Sequence, residues 1–299
     1  MPVDGYALTR GLAYGATLTL VGLAVAPAVL ARAGLHSRLD LSIRQRGIGL
    51  GLAAAAVLLV ATVGRLWYQA RSFLEPGEEL TRELVALVLE SGSWGTGWKL
   101  VAALALLLLL TWAVPGLRRL GGIHRLLVLG LVAATPFAGH GASAEGAPWR
   151  GIALHAAHLL GTGAWLGTLL VLSVAAFPAI LVEAGEAREA ELARLVRAFS
   201  PIALTGAGLA AATGAVLAWD LVGSPGALLA SSYGRWLLAK LALIGVVAGI
   251  GFRNWRVLTP RLGGGAAVPL ARSARLELGF GALILLATAV LVALEAPGL

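Results

Sequence analysis

Eight apolar stretches, each long enough to cross a lipid bilayer, follow one another along the chain. A hydrocarbon core of roughly 30 Å needs about 20 apolar residues in a helix that rises about 1.5 Å per residue. Stretches that meet this need lie near 10–31, 47–68, 98–115, 123–139, 152–181, 198–220, 234–258 and 274–294. The pattern predicts an all-α fold: a polytopic membrane helix bundle with eight transmembrane helices, here called spans one to eight.

One further segment, 79–92, has a helical pattern of another kind. Its apolar residues Leu80, Leu84, Leu87 and Val88 recur at helical spacing and face charged residues on the opposite side. Such a pattern is typical of a helix that lies along the membrane surface.

Most of the 23 Lys and Arg residues lie in or beside the connections one–two, three–four, five–six and seven–eight. Basic connections stay in the cytoplasm, so both the N- and the C-terminus are predicted to be periplasmic. The connection "EAGEAREAELARLVR" (183–197) is acidic as well as basic and is interpreted as a loop. The net charge of +8 is scattered between apolar runs, which favours the lipid bilayer as partner and argues against nucleic acid.

The two halves of the chain share short sequence similarities. "RG" precedes or begins spans one and five at 10–11 and 150–151, and "APAVL" (26–30) corresponds to "FPAIL" (177–181). We interpret these as a parallel 4+4 repeat about an axis along the membrane normal. Chance similarity between stretches rich in Leu, Ala and Gly is the alternative. The chain is then a single integral membrane domain over 1–299, with halves 1–138 and 139–299.

Three histidines are predicted to converge at the periplasmic end. His140 ends span four, while His155 and His158 stand three residues apart on one face of span five. Imidazole is a ligand for copper, zinc and iron, and ionisable groups inside a membrane are costly and usually functional. These residues form the candidate metal site, with Glu295 and Glu145 as additional ligands. The alternative is that each histidine is a hydrogen-bonded packing residue.

Other polar residues in or beside the spans are weaker candidates for a functional site. Trp165, two turns below His158, either packs in the bundle or screens the site from lipid. Lys99 and Lys240 are expected to extend towards the interface, and Asp220 to pair with one of them. At the cytoplasmic end, Glu277 is expected to join an ion-pair cluster with nearby residues: Arg253, Asn254, Arg256 and Arg275.

Cysteine is absent and the single methionine is Met1, so the spans contain no sulfur ligand. There is also no nucleophile elbow, no phosphate-binding loop and no HExxH motif. The chain is therefore expected to be neither an enzyme nor an ATP-driven transporter.

Several motifs, concentrated in the second half, resemble a known family. They are "GHGAS" (139–143), "HLLGTGAWLG" (158–167), "FSPIALTGAGLAAATG" (199–214), "SYGRWLLAKLAL" (232–243), "FRNWRVLTPRL" (252–262) and "ARLELGFGALILLATAVL" (274–291). On these motifs the chain resembles the copper resistance protein D (CopD) family of bacterial inner-membrane proteins. The resemblance implies an eight-span, multi-pass protein that moves copper between periplasm and cytoplasm, with a separate periplasmic CopC-like copper protein as partner.

The resemblance also assigns residues. His140 and His158 match the outer histidines of the family, and His155 is an extra ligand one turn away. Lys240, Asn254 and Glu277 match family positions of unclear role.

The expected function is copper homeostasis: copper is taken up at the periplasmic histidines and transported or handed on. An all-histidine site suits Cu(II) or two-coordinate Cu(I), and zinc fits nearly as well. Two alternatives stay open. One is a b-type cytochrome with haem between two histidines, either His36 with His124 or His140 with His155 or His158. The other is a factor that delivers copper for assembly of another protein without a transport cycle.

Overall fold

The computed structural model describes residues 3–75, 77–90, 92–138 and 148–294. Within these ranges the chain is helical and contains no strand. Eight of the described helices are long and apolar enough to cross a membrane. The predicted all-α bundle of eight spans is therefore confirmed.

The bounds of the spans, in chain order, are Gly5–Ala33, Ser37–Arg71, Gly92–Ala113, Gly121–Ala138, Trp149–Leu181, Gly185–Val222, Ser232–Arg261 and Ala267–Ala293. Two short helices lie between spans, Arg82–Glu90 and Pro225–Ala230, and a 3₁₀ turn covers Leu117–Arg119. The first of these short helices lies within the surface helix predicted over 79–92. We call the end of the bundle at which the odd-numbered spans begin the upper end, and the opposite end the lower end.

Span six is longer than its apolar stretch, because its helix begins at Gly185. The interpretation of 183–197 as a loop was wrong for almost all of that segment. Its alternation of Ala, Glu, Leu and Arg is rich in strong helix formers. The helix also buries Glu189, whose carboxylate accepts hydrogen bonds from the backbone N–H groups of Gly263 and Ala267, at 3.2 and 3.1 Å. This side chain therefore joins the start of span six to the start of span eight at the lower end.

Spans one and five cross at the centre of the bundle. Gly22 of span one and Gly167 of span five are in backbone contact, and a methyl group on either would overlap the other helix. Span five makes a second close crossing with span six, where a methyl group on Gly161 would lie 2.7 Å from the carbonyl oxygen of Gly206. Small residues allow such close approach between helices in a membrane.

Two spans contain π-helical turns. In span five they cover Gly163–Gly167 and Leu172–Ala176, and in span seven one covers Asn254–Leu258. Such turns interrupt the regular hydrogen bonding of an α-helix and occur frequently at functional sites. The upper part of span five, Pro148–Thr162, is a regular α-helix, so the two histidines lie directly above the first irregular turn.

Candidate functional site

The candidate site lies in the upper half of span five, where His155 and His158 are both half-buried. Their spacing of three residues places them on one face of a regular α-helix. The rings are close enough for the charge on one to act on the other. The structure therefore brings together the two predicted ligands that it describes.

Each imidazole is held through its Nδ1 atom by a backbone carbonyl group. The Nδ1–H of His155 donates to the carbonyl oxygen of Gly151, one turn earlier on the same helix, at 3.0 Å. The Nδ1–H of His158 donates across to span six, to the carbonyl oxygen of Ala210, at 2.9 Å. A carbonyl oxygen can only accept, so in both rings the proton is on Nδ1.

In the neutral form of each ring, this tautomer leaves the Nε2 atom unprotonated, with its lone pair free to bind a metal ion. Neither Nε2 forms a hydrogen bond with any residue that the structure describes. Metal-binding histidines usually donate their other N–H to a carbonyl or carboxylate group, which fixes the ring and raises its basicity. In this protein the carbonyl groups of Gly151 and Ala210 hold the two histidines in this way.

Span six shapes the space around His158. The Thr213 hydroxyl group donates to the carbonyl oxygen of Leu209 at 2.6 Å and lies 3.3 Å from Nδ1 of His158. A methyl group on Gly214 would lie 3.0 Å from the ring atom Cε1, so a glycine at this position leaves room for the imidazole. Sequence reasoning did not identify Thr213 or Gly214, because their role depends on which face of span six meets span five.

Lys240 of span seven is near enough to both histidines for its charge to act on each ring. It forms no ion pair with a described residue. The expected pairing of Asp220 with Lys99 or Lys240 is wrong. Asp220 instead forms a salt bridge with Arg150 at 2.9 Å, because the start of span five lies next to the end of span six.

An apolar cluster lies nearer to the lower end than the histidines. It consists of Leu166, Val247 and Ile284, from spans five, seven and eight, with Trp165 packed against it. Trp165 and Val247 each come seven residues, about 10 Å of helix, after His158 and Lys240 respectively. Of the two roles considered for Trp165, its contacts support packing in the bundle, and we call the apolar cluster that it joins the floor.

The remaining predicted ligands, His140, Glu145 and Glu295, lie outside the described residues. Among the residues that the structure does describe, no group of three His, Cys, Asp or Glu side chains could hold a metal ion. The described part of the candidate site therefore supplies two ligands, and the three-histidine cluster stays a prediction.

The other two histidines have different surroundings. His36 is exposed, at the residue before span two begins. His124 in span four lies with Nδ1 3.2 Å from the Thr111 hydroxyl group, and its ring packs edge-on against Trp112, with centroids 4.5 Å apart. A packed and hydrogen-bonded ring is the usual state of a histidine in a helix bundle.

At the lower end, Asn254 and Glu277 form a buried pair in which the amide group donates to the carboxylate. The expected ion-pair cluster around Glu277 is not formed by the described residues. Arg256 instead lies over the ring of Trp255, 5.4 Å from its centroid. The π-turn that begins at Asn254 directs that residue, rather than an arginine, towards span eight.

Two family models match the chain. One, described as copper resistance protein D-like, N-terminal domain, covers residues 1–152, and the other, copper resistance protein D, covers residues 193–291. Lys240, Asn254 and Glu277 lie inside the second match, whereas His155 and His158 lie between the two. No curated protein and no solved structure matches the chain.

Proposed function

The chain belongs to the copper resistance protein D family, and on that premise we propose that it binds copper through Nε2 of His155 and Nε2 of His158. In this proposal the upper end faces the periplasm of a bacterial inner membrane, as the distribution of basic residues predicts. Copper enters from that side and is held in the upper half of the bundle.

The observation that carries the proposal is the pair of Nδ1 hydrogen bonds to the carbonyl groups of Gly151 and Ala210. They orient both rings and leave the Nε2 atom of each neutral ring as a nitrogen ligand on one helix face. Two imidazoles suffice for linear Cu(I), and a third ligand from His140 would extend the set towards Cu(II). No sulfur ligand is needed for either ion.

The charge around the rings favours the monovalent ion. Lys240 and Arg10 both act electrostatically on His155, and Lys240 acts on His158 as well. The repulsion that these cations exert on a bound metal is proportional to the charge of the metal. We therefore expect Cu(I) to be preferred over Cu(II) or Zn²⁺.

The apolar floor formed by Trp165, Val247 and Ile284 bears on where the copper goes. A bare copper ion would lose its ligands if it entered this cluster, and burying an unpaired charge there is costly. This supports delivery at the upper end, to a periplasmic copper protein, while the floor stays closed. Transport to the lower end would require the floor to open.

The test is copper binding by the purified protein in detergent. The variant H155A/H158A should lose the bound copper, measured by elemental analysis after loading with Cu(I) under reducing conditions. The matched control is H124A, which removes an imidazole that packs between spans three and four. Full copper stoichiometry in H155A/H158A, with both variants folded, would overturn the proposal.

The same samples test the haem alternative. A b-type cytochrome would show a Soret band and reducible α and β bands in the visible spectrum. If the wild-type protein shows these bands and H155A/H158A does not, the two histidines are ligands of iron and not of copper.

A further inference from the structure

Two arginines are buried inside the upper half of the bundle. Arg10 of span one is 5% exposed and Arg65 of span two is 6% exposed. Both lie in spans, where an ionised side chain is expensive unless it is paired or solvated. Neither arginine has a role in the copper proposal as a ligand.

The hydrogen-bond partners of both guanidinium groups are hydroxyl and carbonyl groups, and the Tyr14 hydroxyl group is near enough to both arginines to interact with them. Arg10 donates through Nη1 to the Tyr6 hydroxyl group and to the carbonyl oxygen of Val292, both at 3.4 Å. Arg65 donates through Nη2 to the carbonyl oxygen of Ala138 at 2.8 Å. The Nε atom of each arginine is buried and has no hydrogen-bond partner among the described residues.

The two charges also repel one another. Arg10 and Arg65 are close enough for their charges to interact. The ion pairs of the described residues are Arg44–Asp40, Arg150–Asp220 and Arg194–Glu191, so no described carboxylate neutralises either buried arginine. A pair of buried like charges calls for a counter-charge in the same place.

A small cavity lies between the two arginines. Its walls come from spans one to four and include both arginines together with Tyr14, Thr17 and Thr135. Its volume of about 10 Å³ holds one particle of the size of water. A chloride ion is somewhat larger than water, so its entry requires the flexible ends of the two arginine side chains to move apart. The Thr17 and Thr135 hydroxyl groups already donate to carbonyl groups of their own helices, at 2.8 and 2.7 Å.

We propose that this cavity binds one small monovalent anion of the size of chloride between the guanidinium groups of Arg10 and Arg65. The anion accepts hydrogen bonds from the unpartnered Nε–H groups and offsets the repulsion between the two charges. Phosphate and sulfate are too large for the space. Water would satisfy the hydrogen bonds but would leave both charges uncompensated.

The site would also affect the neighbouring histidines. Arg10 acts electrostatically on His155, so an anion beside Arg10 lowers the positive potential at the candidate copper site. That consequence rests on the proposed function. Anion binding itself needs no copper, so the copper-free protein tests it independently.

The test is thermal unfolding of the purified, full-length protein in detergent, in sodium chloride and in sodium gluconate of equal ionic strength. Gluconate is too large for the cavity. We expect chloride to raise the melting temperature by roughly 3 °C, in a saturable manner. The variants R10Q and R65Q should lose this dependence on chloride, whereas R150Q, which removes an exposed arginine on span five, should keep it.

Equal melting temperatures of the wild-type protein in the two salts would overturn the proposal, and they are the result expected if a carboxylate of the chain supplies the counter-charge. A chloride effect that persists in both R10Q and R65Q would overturn it as well. If those variants do not fold, ³⁵Cl NMR on the wild-type protein decides the question. Broadening of the chloride line that bromide reverses supports the site, and absence of broadening contradicts it.

Discussion

Spans one and five are the two most buried of the eight described spans, and they cross each other at Gly22 and Gly167. Their polar residues are nevertheless of different kinds. Span one is an unbroken α-helix that carries Arg10 in its upper half. Span five carries His155 and His158 at a comparable height and contains two π-turns below them.

The arginine of span one and the histidines of span five differ in what they are able to bind. A guanidinium group is permanently protonated and can only donate hydrogen bonds, so Arg10 can recruit an anion but cannot bind a metal. A neutral imidazole whose Nδ1–H is held by a carbonyl group offers the lone pair of its Nε2 atom to a metal ion. Under the two proposals, the two central spans would bind ions of opposite charge at comparable heights in the bundle.

The largest expected effect comes from a substitution that forces spans one and five apart where they cross. The substitution Gly22→Leu places a side chain into the backbone of span five at Gly167, which has no side chain that could move away. We expect a destabilisation of about 3 kcal/mol, measured as the loss of folded protein in a denaturant titration in detergent.

The matched control for this prediction is Gly245→Leu in span seven. Gly245 is exposed, and a methyl group there would meet no atom of the described residues within 4 Å, so stability should remain close to that of the wild-type protein. Equal stability of the two variants would show that spans one and five do not cross in backbone contact.

A smaller and more selective effect is expected at Gly214. The substitution Gly214→Ala puts a methyl group 3.0 Å from Cε1 of His158 and displaces the ring from its bond to Ala210. Copper affinity should fall by roughly 10-fold, measured by competition with a Cu(I) chelator, while the protein remains folded. The control is Gly208→Ala on the same span, where a methyl group meets nothing within 4 Å. Unchanged affinity in Gly214→Ala would remove His158 from the copper site.

The fold was largely predictable from the sequence, because an uncharged apolar run of about twenty residues rarely forms anything but a membrane-spanning helix. The failures came where a helix continues beyond the membrane. Residues 185–197 are charged, and hydropathy alone cannot tell a loop from a helix that buries Glu189 against the start of span eight. The π-turns of spans five and seven were also not predictable, because they depend on packing between spans.

The candidate site was predictable only as far as spacing on one helix allows. His155 and His158 share a face by their separation of three residues, and this required no tertiary information. The bond from His158 to Ala210 and the salt bridge from Arg150 to Asp220 both depend on how span six lies against span five. The sequence marks Arg10 and Arg65 as unusual, because each is a charge beside or within an apolar run. It does not predict the cavity that lies between them.

The smallest effect should come from the salt bridge between Arg150 and Asp220. Arg150 of span five is exposed and paired with a carboxylate, whereas Arg10 of span one is buried. The partners are half- and one-third exposed, at 50% and 35% of their side-chain surface. Water and salt screen such a pair, so Arg150→Gln should change the free energy of unfolding by less than about 1 kcal/mol. The same denaturant titration measures this change, and raising the salt concentration should reduce it further. A loss well above that value would mean that the contact between spans five and six at the upper end, and not only the crossing of spans one and five, contributes strongly to the stability of the bundle.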